Sequence, residues 1–134
     1  MLSGCAVAVD DPTPTADVRR VCDALMADLP EKVLDESRRT VEPGALSAAW
    51  GRPPIVLRCG VSIPPDMTSS SQCFEVNDVG WFAAEGDGGM LFTTIGRPAL
   101  IEVGVPSDYA PESHALVDLA AAINRHVPIT QPCV

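Results

Sequence analysis

Two segments of the chain repeat their apolar residues with the period of an α-helix. In residues 16–29 the apolar positions recur at intervals of three and four residues, at Val18, Val21, Cys22, Leu25 and Leu29. Thr15 can cap the first turn of this helix, and Pro30 ends it. A last helix follows Pro111 and ends before Pro128, with the same spacing at Leu116, Leu119, Ala120, Ile123 and Val127. Each helix has one apolar side and therefore needs a sheet to pack against.

Between the helices, short apolar or alternating runs predict β-strands. These runs are residues 55–59, 73–76, 80–84, 90–95 and 99–105. The segments that separate the last four runs, 77–78, 85–89 and 96–98, have hairpin length, so we expect an antiparallel meander. A polar run at residues 32–42 is expected to form an edge strand, because its charges oppose pairing with other molecules.

This order of elements indicates an α+β fold. We expect a two-layer sandwich in which an antiparallel sheet of about five to six strands carries both amphipathic helices on one face, since its other face can remain in water. A chain of 134 residues provides one hydrophobic core, and with 4% aromatic residues that core should be aliphatic. The expected division is a tether at residues 1–17 and a single domain at residues 18–134.

The start of the chain resembles the lipobox of bacterial lipoproteins. Leu2, Ser3 and Gly4 precede Cys5 as a branched apolar residue and two small residues, and only a thiol can accept the diacylglyceryl group. Cys5 is therefore expected to be acylated, and residues 10–17 to be a flexible tether. The basic and apolar parts of a signal peptide are not found, so on this interpretation the chain begins at the end of an export signal. The alternative is an ordinary cysteine near the start.

The other four cysteines, Cys22, Cys59, Cys73 and Cys133, are an even set typical of a disulfide framework in a small exported chain. Three pairings are possible. The preferred one joins Cys59 with Cys73 and Cys22 with Cys133, and the alternative is four buried free thiols. No two cysteines form a CxxC pair, so no metal site is expected.

The formal net charge of −9 opposes binding to nucleic acid and to anionic headgroups, so the membrane is expected to be reached only through acylated Cys5. Arginines in the strand region could instead form a local positive patch for a carboxylate or phosphate group. The candidate recognition residues are Trp50, Arg52, Arg58, Arg38 and Arg39. Two alternatives stay open: Trp50 packs in the core, and the arginines pair with Glu36, Glu75 and Glu102.

No catalytic residue is predicted. The chain has no Gly-x-Ser-x-Gly motif, and His114 and His126 fall at the two ends of the last helix, where an imidazolium interacts with the helix dipole. The glycine-rich residues 86–89 join two strands instead of opening a helix, so they do not indicate a phosphate-binding loop or a cofactor. The loop at residues 62–72, which contains Pro-Pro and a Ser run, is the predicted mobile segment.

Four segments carry a resemblance to a known family: AAWGRPPIVLRCG, VNDVGWF, FTTIGRPALIEVGVP and YAPESHALVDLAAAI. They are similar to recurring segments of small actinobacterial envelope proteins that are classified as a domain of unknown function. The similarity extends over residues 22–128, and the segment from Trp50 to Gly60 is its most specific part. It implies an exported protein that is often lipid-anchored, and it implies no reaction.

We therefore expect an exported domain at the outer face of the cytoplasmic membrane, without cofactor, that binds an envelope protein or a cell-wall component. The sheet face or the loop at residues 62–72 would make that contact. The alternative is an enzyme or accessory factor of envelope polymer or lipid metabolism that uses His114 or the strand arginines. A carrier of an apolar ligand would need a cavity that a small aliphatic core can hardly provide.

Overall fold

The computed structural model describes residues 5–68 and 70–133, and these residues form two helices and ten strands. The helices are α1 (Ala16–Met26) and α2 (Ala115–His126). The strands are β1 (Val7–Val9), β2 (Lys32–Val33), β3 (Glu36–Arg39), β4 (Val41–Pro43), β5 (Ser47–Trp50), β6 (Ile55–Cys59), β7 (Phe74–Val76), β8 (Val79–Gly86), β9 (Gly89–Thr94) and β10 (Ile101–Pro106). Two 3₁₀ turns, Ser107–Tyr109 and Glu112–His114, connect β10 to α2. No helix in the described residues is both long enough and apolar enough to cross a bilayer.

Eight strands form one antiparallel sheet in the order β2-β3-β5-β6-β10-β9-β8-β7 within the described chain. The predicted α+β class, the antiparallel sheet and the two helices are confirmed, whereas the expected five to six strands are too few. The sheet is also not a simple meander, because β10 crosses over to pair with β6. β5 was not predicted because its sequence, SAAW, is buried at every position and shows no alternation.

The core lies between the helices and one face of the sheet. On β6 and β10 every second residue is buried, at Ile55, Leu57 and Cys59 and at Ile101, Val103 and Val105. From the helices, the predicted apolar positions Cys22, Leu25, Leu116, Leu119 and Ile123 join the same buried cluster. Thr15 caps α1 as predicted, because its Oγ1 accepts a hydrogen bond of 3.4 Å from the backbone N–H of Val18.

The polar run at residues 32–42 forms three strands instead of one. Leu34 and Asp35 have positive φ angles of 51° and 63°, which make the tight turn of a β2–β3 hairpin. β4 leaves the sheet and pairs in parallel with β1, so residues 7–9 of the predicted tether are bound to the domain. Asp11 continues this attachment: its carboxylate accepts hydrogen bonds from the backbone N–H of Ala45, at 3.0 Å, and from Ser47 Oγ, at 2.7 Å.

Two disulfides are present, and their pairing corrects the preferred prediction. Cys22 on α1 bonds to Cys59 at the end of β6, with the Cα atoms 5.6 Å apart, and Cys73 bonds to Cys133 with the Cα atoms 5.7 Å apart. Cys59 faces the core beneath α1, so Cys22 reaches it directly. The chain after α2 returns to the β7 edge because Gly96 O accepts hydrogen bonds from the N–H groups of Thr130, at 2.7 Å, and Gln131, at 3.0 Å.

Charged side chains hold the end of α2 to its surroundings. Arg97 is 6% exposed and donates hydrogen bonds to the carbonyl oxygens of Val127 and Asp78 and to Asn124 Oδ1, and burial lowers its pKa.

At the surface, Asp28 contacts Arg125, and the Oδ2 atom of Asp28 lies 2.9 Å from His126 Nε2. The hydrogen bonds from His126 and Arg125 lower the pKa of Asp28. These contacts connect the end of α1 to the end of α2.

Candidate functional site

Trp50 is a core residue in the structure and offers no surface for recognition. Its side chain is 0% exposed, and its indole Nε1–H donates a hydrogen bond of 3.0 Å to the carbonyl oxygen of Pro30. Arg38 lies opposite Trp50 on β3, and its guanidinium carbon is 5.5 Å from the centre of the indole ring. The pair is therefore a cation–π contact that covers the edge of the core.

The four candidate arginines do not form one patch. Arg38, Arg39 and Arg52 line a shallow pocket, which they share with the carboxylates of Asp35 and Glu36. Arg39 is occupied within the fold, because it donates to the carbonyl oxygens of Gly51, at 3.0 Å, and Cys5, at 3.1 Å.

Arg58 lies apart from the other arginines, on β6, and forms an ion pair of 3.1 Å with Glu102, its partner on β10. This is the cross-strand pairing that the sequence left open as an alternative.

The residues considered for catalysis are also dispersed. His114 is exposed, and none of the side-chain hydrogen bonds found in the described residues involves it. His126 lies at the other end of α2 with Asp28 and Arg125. No group of three or more His, Cys, Asp or Glu residues in the described chain is placed to hold a metal ion.

The loop at residues 62–72 lies beside the Cys73–Cys133 disulfide. Its described part contains two backbone turns, closed by hydrogen bonds from Met67 to Pro64 and from Ser71 to Thr68. Met67, Thr68 and Ser71 line a depression together with both cysteines of the disulfide. The hydroxyl groups of Thr68 and Ser71 make the lining of this depression partly polar.

A groove crosses the side of the sheet that faces away from the core. We call this side the outer face; Val56 and Arg58 on β6 and Glu102 and Gly104 on β10 belong to it. Strand register places Val56, Gly104 and Leu91 in one row across β6, β10 and β9. Because Gly104 has no side chain, the row is lowest at its centre. This depression, which we call the outer groove, has a volume of about 520 Å³.

The ends of the outer groove are formed by turns. Pro53 and Pro54 close it beside β6, and the β8–β9 hairpin at residues 86–89 closes it at the other end. Tyr109 fixes the proline wall, because its phenol donates a hydrogen bond of 2.6 Å to the carbonyl oxygen of Pro53. Burial, followed by the nearby charges of Glu36 and Asp108, raises the pKa of Tyr109, so the phenol keeps its proton and remains a donor.

Gly51 is required for this wall to form. Its φ angle is +78°, and a Cβ at this position would lie 2.7 Å from the Tyr109 hydroxyl and 2.8 Å from a carboxylate oxygen of Glu36. A larger residue would push Tyr109 away from Pro53. The Trp-Gly-x-Pro-Pro segment therefore supplies both a core residue and a rigid edge of the outer groove.

The charged groups that line the outer groove are both acidic. Asp87 at the hairpin tip and Asp108 in the first 3₁₀ turn are exposed on its rim, and the described lining contains no Lys, Arg or His. The floor and sides are made of aliphatic side chains, proline rings and glycine. This arrangement can bind an apolar group and attract a positive charge.

The groove residues were not among the predicted site residues. One signal was available, because Gly104 interrupts the alternating apolar run ALIEVGV, and a glycine inside a strand often marks a close approach by another chain. The alternating pattern of this run could not indicate that β6 would lie on the other side of β10. The predicted hairpin at residues 96–98 already places Leu91 beside β10, whereas Val56 becomes its neighbour only through the crossover pairing.

Together, the fold and the groove define a small α+β domain with two disulfides and an apolar depression on the side of its sheet opposite the core. The chain belongs to the family described as "Protein of unknown function (DUF3515)", whose model matches residues 5–132. The expected domain of unknown function is thereby confirmed over most of the chain. No curated protein and no solved structure matches this sequence.

Proposed function

We propose that this chain is an exported, lipid-anchored domain of the cell envelope that binds a partner protein through the outer groove. The observation that carries the proposal is the groove itself: an apolar depression, bounded by the Pro53–Pro54 segment and the β8–β9 hairpin, on the side of the sheet opposite the core. Surfaces of this kind are typical of binding sites.

The disulfides support the exported location. Structural disulfides form and persist in oxidising compartments and are rare in the bacterial cytosol. Cys22 and Cys59 are both fully buried, and their bond joins α1 to the centre of the sheet. A disulfide in that position belongs to the folded core, which is consistent with a protein that folds outside the cytosol.

Cys5 supports the anchor because its thiol is exposed and belongs to neither disulfide. The lipobox residues Leu2, Ser3 and Gly4 lie outside the described residues. Residue 7 already belongs to β1, and Arg39 binds the Cys5 carbonyl oxygen. An acylated Cys5 would therefore hold the domain close to the membrane surface, with little free chain between the lipid and the fold.

Replacing Cys5 by serine tests the anchor. We expect the natural protein to remain with the membrane fraction after a high-salt wash and its Cys5→Ser variant to be released, because two or more acyl chains provide stable attachment and a serine accepts none. The measurement is fractionation of the producing cells, together with the mass of the amino-terminal peptide. An unmodified peptide from the natural protein would contradict the anchor.

A photo-crosslinking amino acid at position 91 tests binding through the groove. We expect benzoylphenylalanine in place of Leu91 to give one discrete crosslinked product in intact cell envelopes, because its side chain lies at the groove wall. The same amino acid at Val117, which is 47% exposed on α2, is the matched control. Adding Gly104→Val should abolish the product from position 91. Equal products from both positions, or a product that survives Gly104→Val, would contradict the proposal.

A further inference from the structure

We infer that the occupant of the outer groove is an extended segment of the partner protein that combines aliphatic side chains with Lys or Arg. This inference rests on the proposed function and specifies the chemistry of the partner. An aliphatic side chain would lie over Gly104, between Val56 and Leu91, and a cationic side chain would approach Asp87 or Asp108.

The row of Val56, Gly104 and Leu91 spans three neighbouring strands. Neighbouring strands in a sheet lie about 4.8 Å apart, so Val56 and Leu91, on either side of β10, are separated by roughly 10 Å. The Cβ of an alanine at position 104 would be 3.5 Å from Leu91 Cδ1, which is an ordinary contact. An alanine therefore fits at position 104 without displacing Leu91, whereas a bulkier residue would project into the outer groove.

The negative charge of the groove rim favours a partner segment that carries positive charge. Asp87 and Asp108 are exposed carboxylates on the groove, and the chain as a whole has a formal net charge of −9. Glu102 on the same face already pairs with Arg58, so its charge is largely balanced. A cationic segment is attracted by this field, and the attraction should weaken as salt is added.

Other envelope ligands fit this lining less well. A glycan usually packs on an aromatic ring, and none of the residues that line the described groove is aromatic. An anionic polymer would be repelled by the rim. A neutral acyl chain could use the aliphatic floor, but it would gain nothing from Asp87 and Asp108.

Three synthetic hexapeptides with blocked ends test the inference on the full chain with its disulfides intact. One alternates Lys with Leu, one alternates Glu with Leu, and one alternates Lys with Ser. We expect the Lys-Leu peptide to shift the backbone amide NMR signals of Val56, Leu91 and Gly104 at low salt. The Glu-Leu and Lys-Ser peptides should bind about tenfold more weakly or not at all, since each lacks one of the two interactions.

Variants at positions 104, 87 and 108 complete the test. Gly104→Val should weaken binding of the Lys-Leu peptide by about tenfold or more, whereas Gly104→Ala should largely preserve it, and valine is well tolerated in a strand. Unchanged amide signals in the core would show that both variants fold. The double variant Asp87→Asn, Asp108→Asn should reduce binding by about threefold to tenfold and remove most of its salt dependence.

The outcomes separate this inference from the proposed function. Equal binding of the Lys-Leu and Glu-Leu peptides would contradict the inference that the partner segment is cationic. The absence of any amide NMR shift at the groove with all three peptides would also contradict it. Stronger binding of decanoate or of a neutral oligosaccharide at the same amides also overturns it. In each case a crosslink from position 91 that depends on Gly104 would still support a groove that binds a protein. Loss of that crosslink would instead refute the proposed function.

Discussion

Replacing Cys22 and Cys59 together by alanine is expected to lower the free energy of unfolding by about 4 kcal/mol. The two residues are 37 positions apart, so their bond removes a large part of the conformational freedom of the unfolded chain. Both cysteines are fully buried, and the bond fixes α1 on the sheet at β6. Urea unfolding of the natural protein and the double variant measures this difference.

The single variant Cys5→Ala is the control for this experiment, because Cys5 is exposed and unpaired. Its free energy of unfolding should stay within about 0.5 kcal/mol of the natural value. Peptide mapping without reduction tests the pairing directly. A peptide that joins Cys59 to Cys73, or Cys22 to Cys133, would show that the pairing in the structure is incorrect.

The second large effect is expected at Trp50. Trp50→Ala should lower the free energy of unfolding by about 3–5 kcal/mol, because it removes a large and fully buried side chain and leaves a cavity. The loss includes the hydrogen bond from the indole to Pro30, which connects the segment after α1 to β5. Thermal or urea unfolding checks the value.

Two further variants separate the core role of Trp50 from a recognition role. Trp50→Phe keeps an aromatic ring and loses the indole N–H, so its cost should be smaller, about 1–2 kcal/mol. Arg38→Ala removes the cation above the ring and should cost about 0.5–1 kcal/mol. A Trp50→Ala protein as stable as the natural one would contradict the buried position and restore Trp50 as a candidate surface residue.

The local elements were predictable because they depend on residues that are close in sequence. The three- and four-residue spacing identified both helices, and Thr15 marked the start of α1. Asn77 and Asp78 form the predicted hairpin, with positive φ angles of 48° and 70°, because these residue types tolerate that conformation. The turn at Leu34 was missed because leucine rarely adopts a positive φ angle.

The structure gives the candidate recognition residues contacts that their residue types alone did not indicate. Trp50 and the arginines were chosen for their chemistry, but the structure uses Trp50 in the core, Arg39 in backbone hydrogen bonds and Arg58 in an ion pair. Residue type shows which contacts a side chain can make, whereas its neighbours decide which contact it does make. The outer groove consists largely of aliphatic residues and glycine, which carry no chemical signal in a sequence.

The sequence by itself determined the class of fold, the two helices, most of the hairpins and an even set of cysteines outside Cys5. Apolar periodicity and turn-forming residue types depend only on positions that are close in sequence, so both can be recognised from the sequence alone. Only the tertiary structure decided that β10 lies beside β6, that Cys22 bonds to Cys59, and that Gly104 lies between Val56 and Leu91. Each of these contacts joins residues more than ten positions apart, and their formation depends on the packing of the whole sheet and both helices.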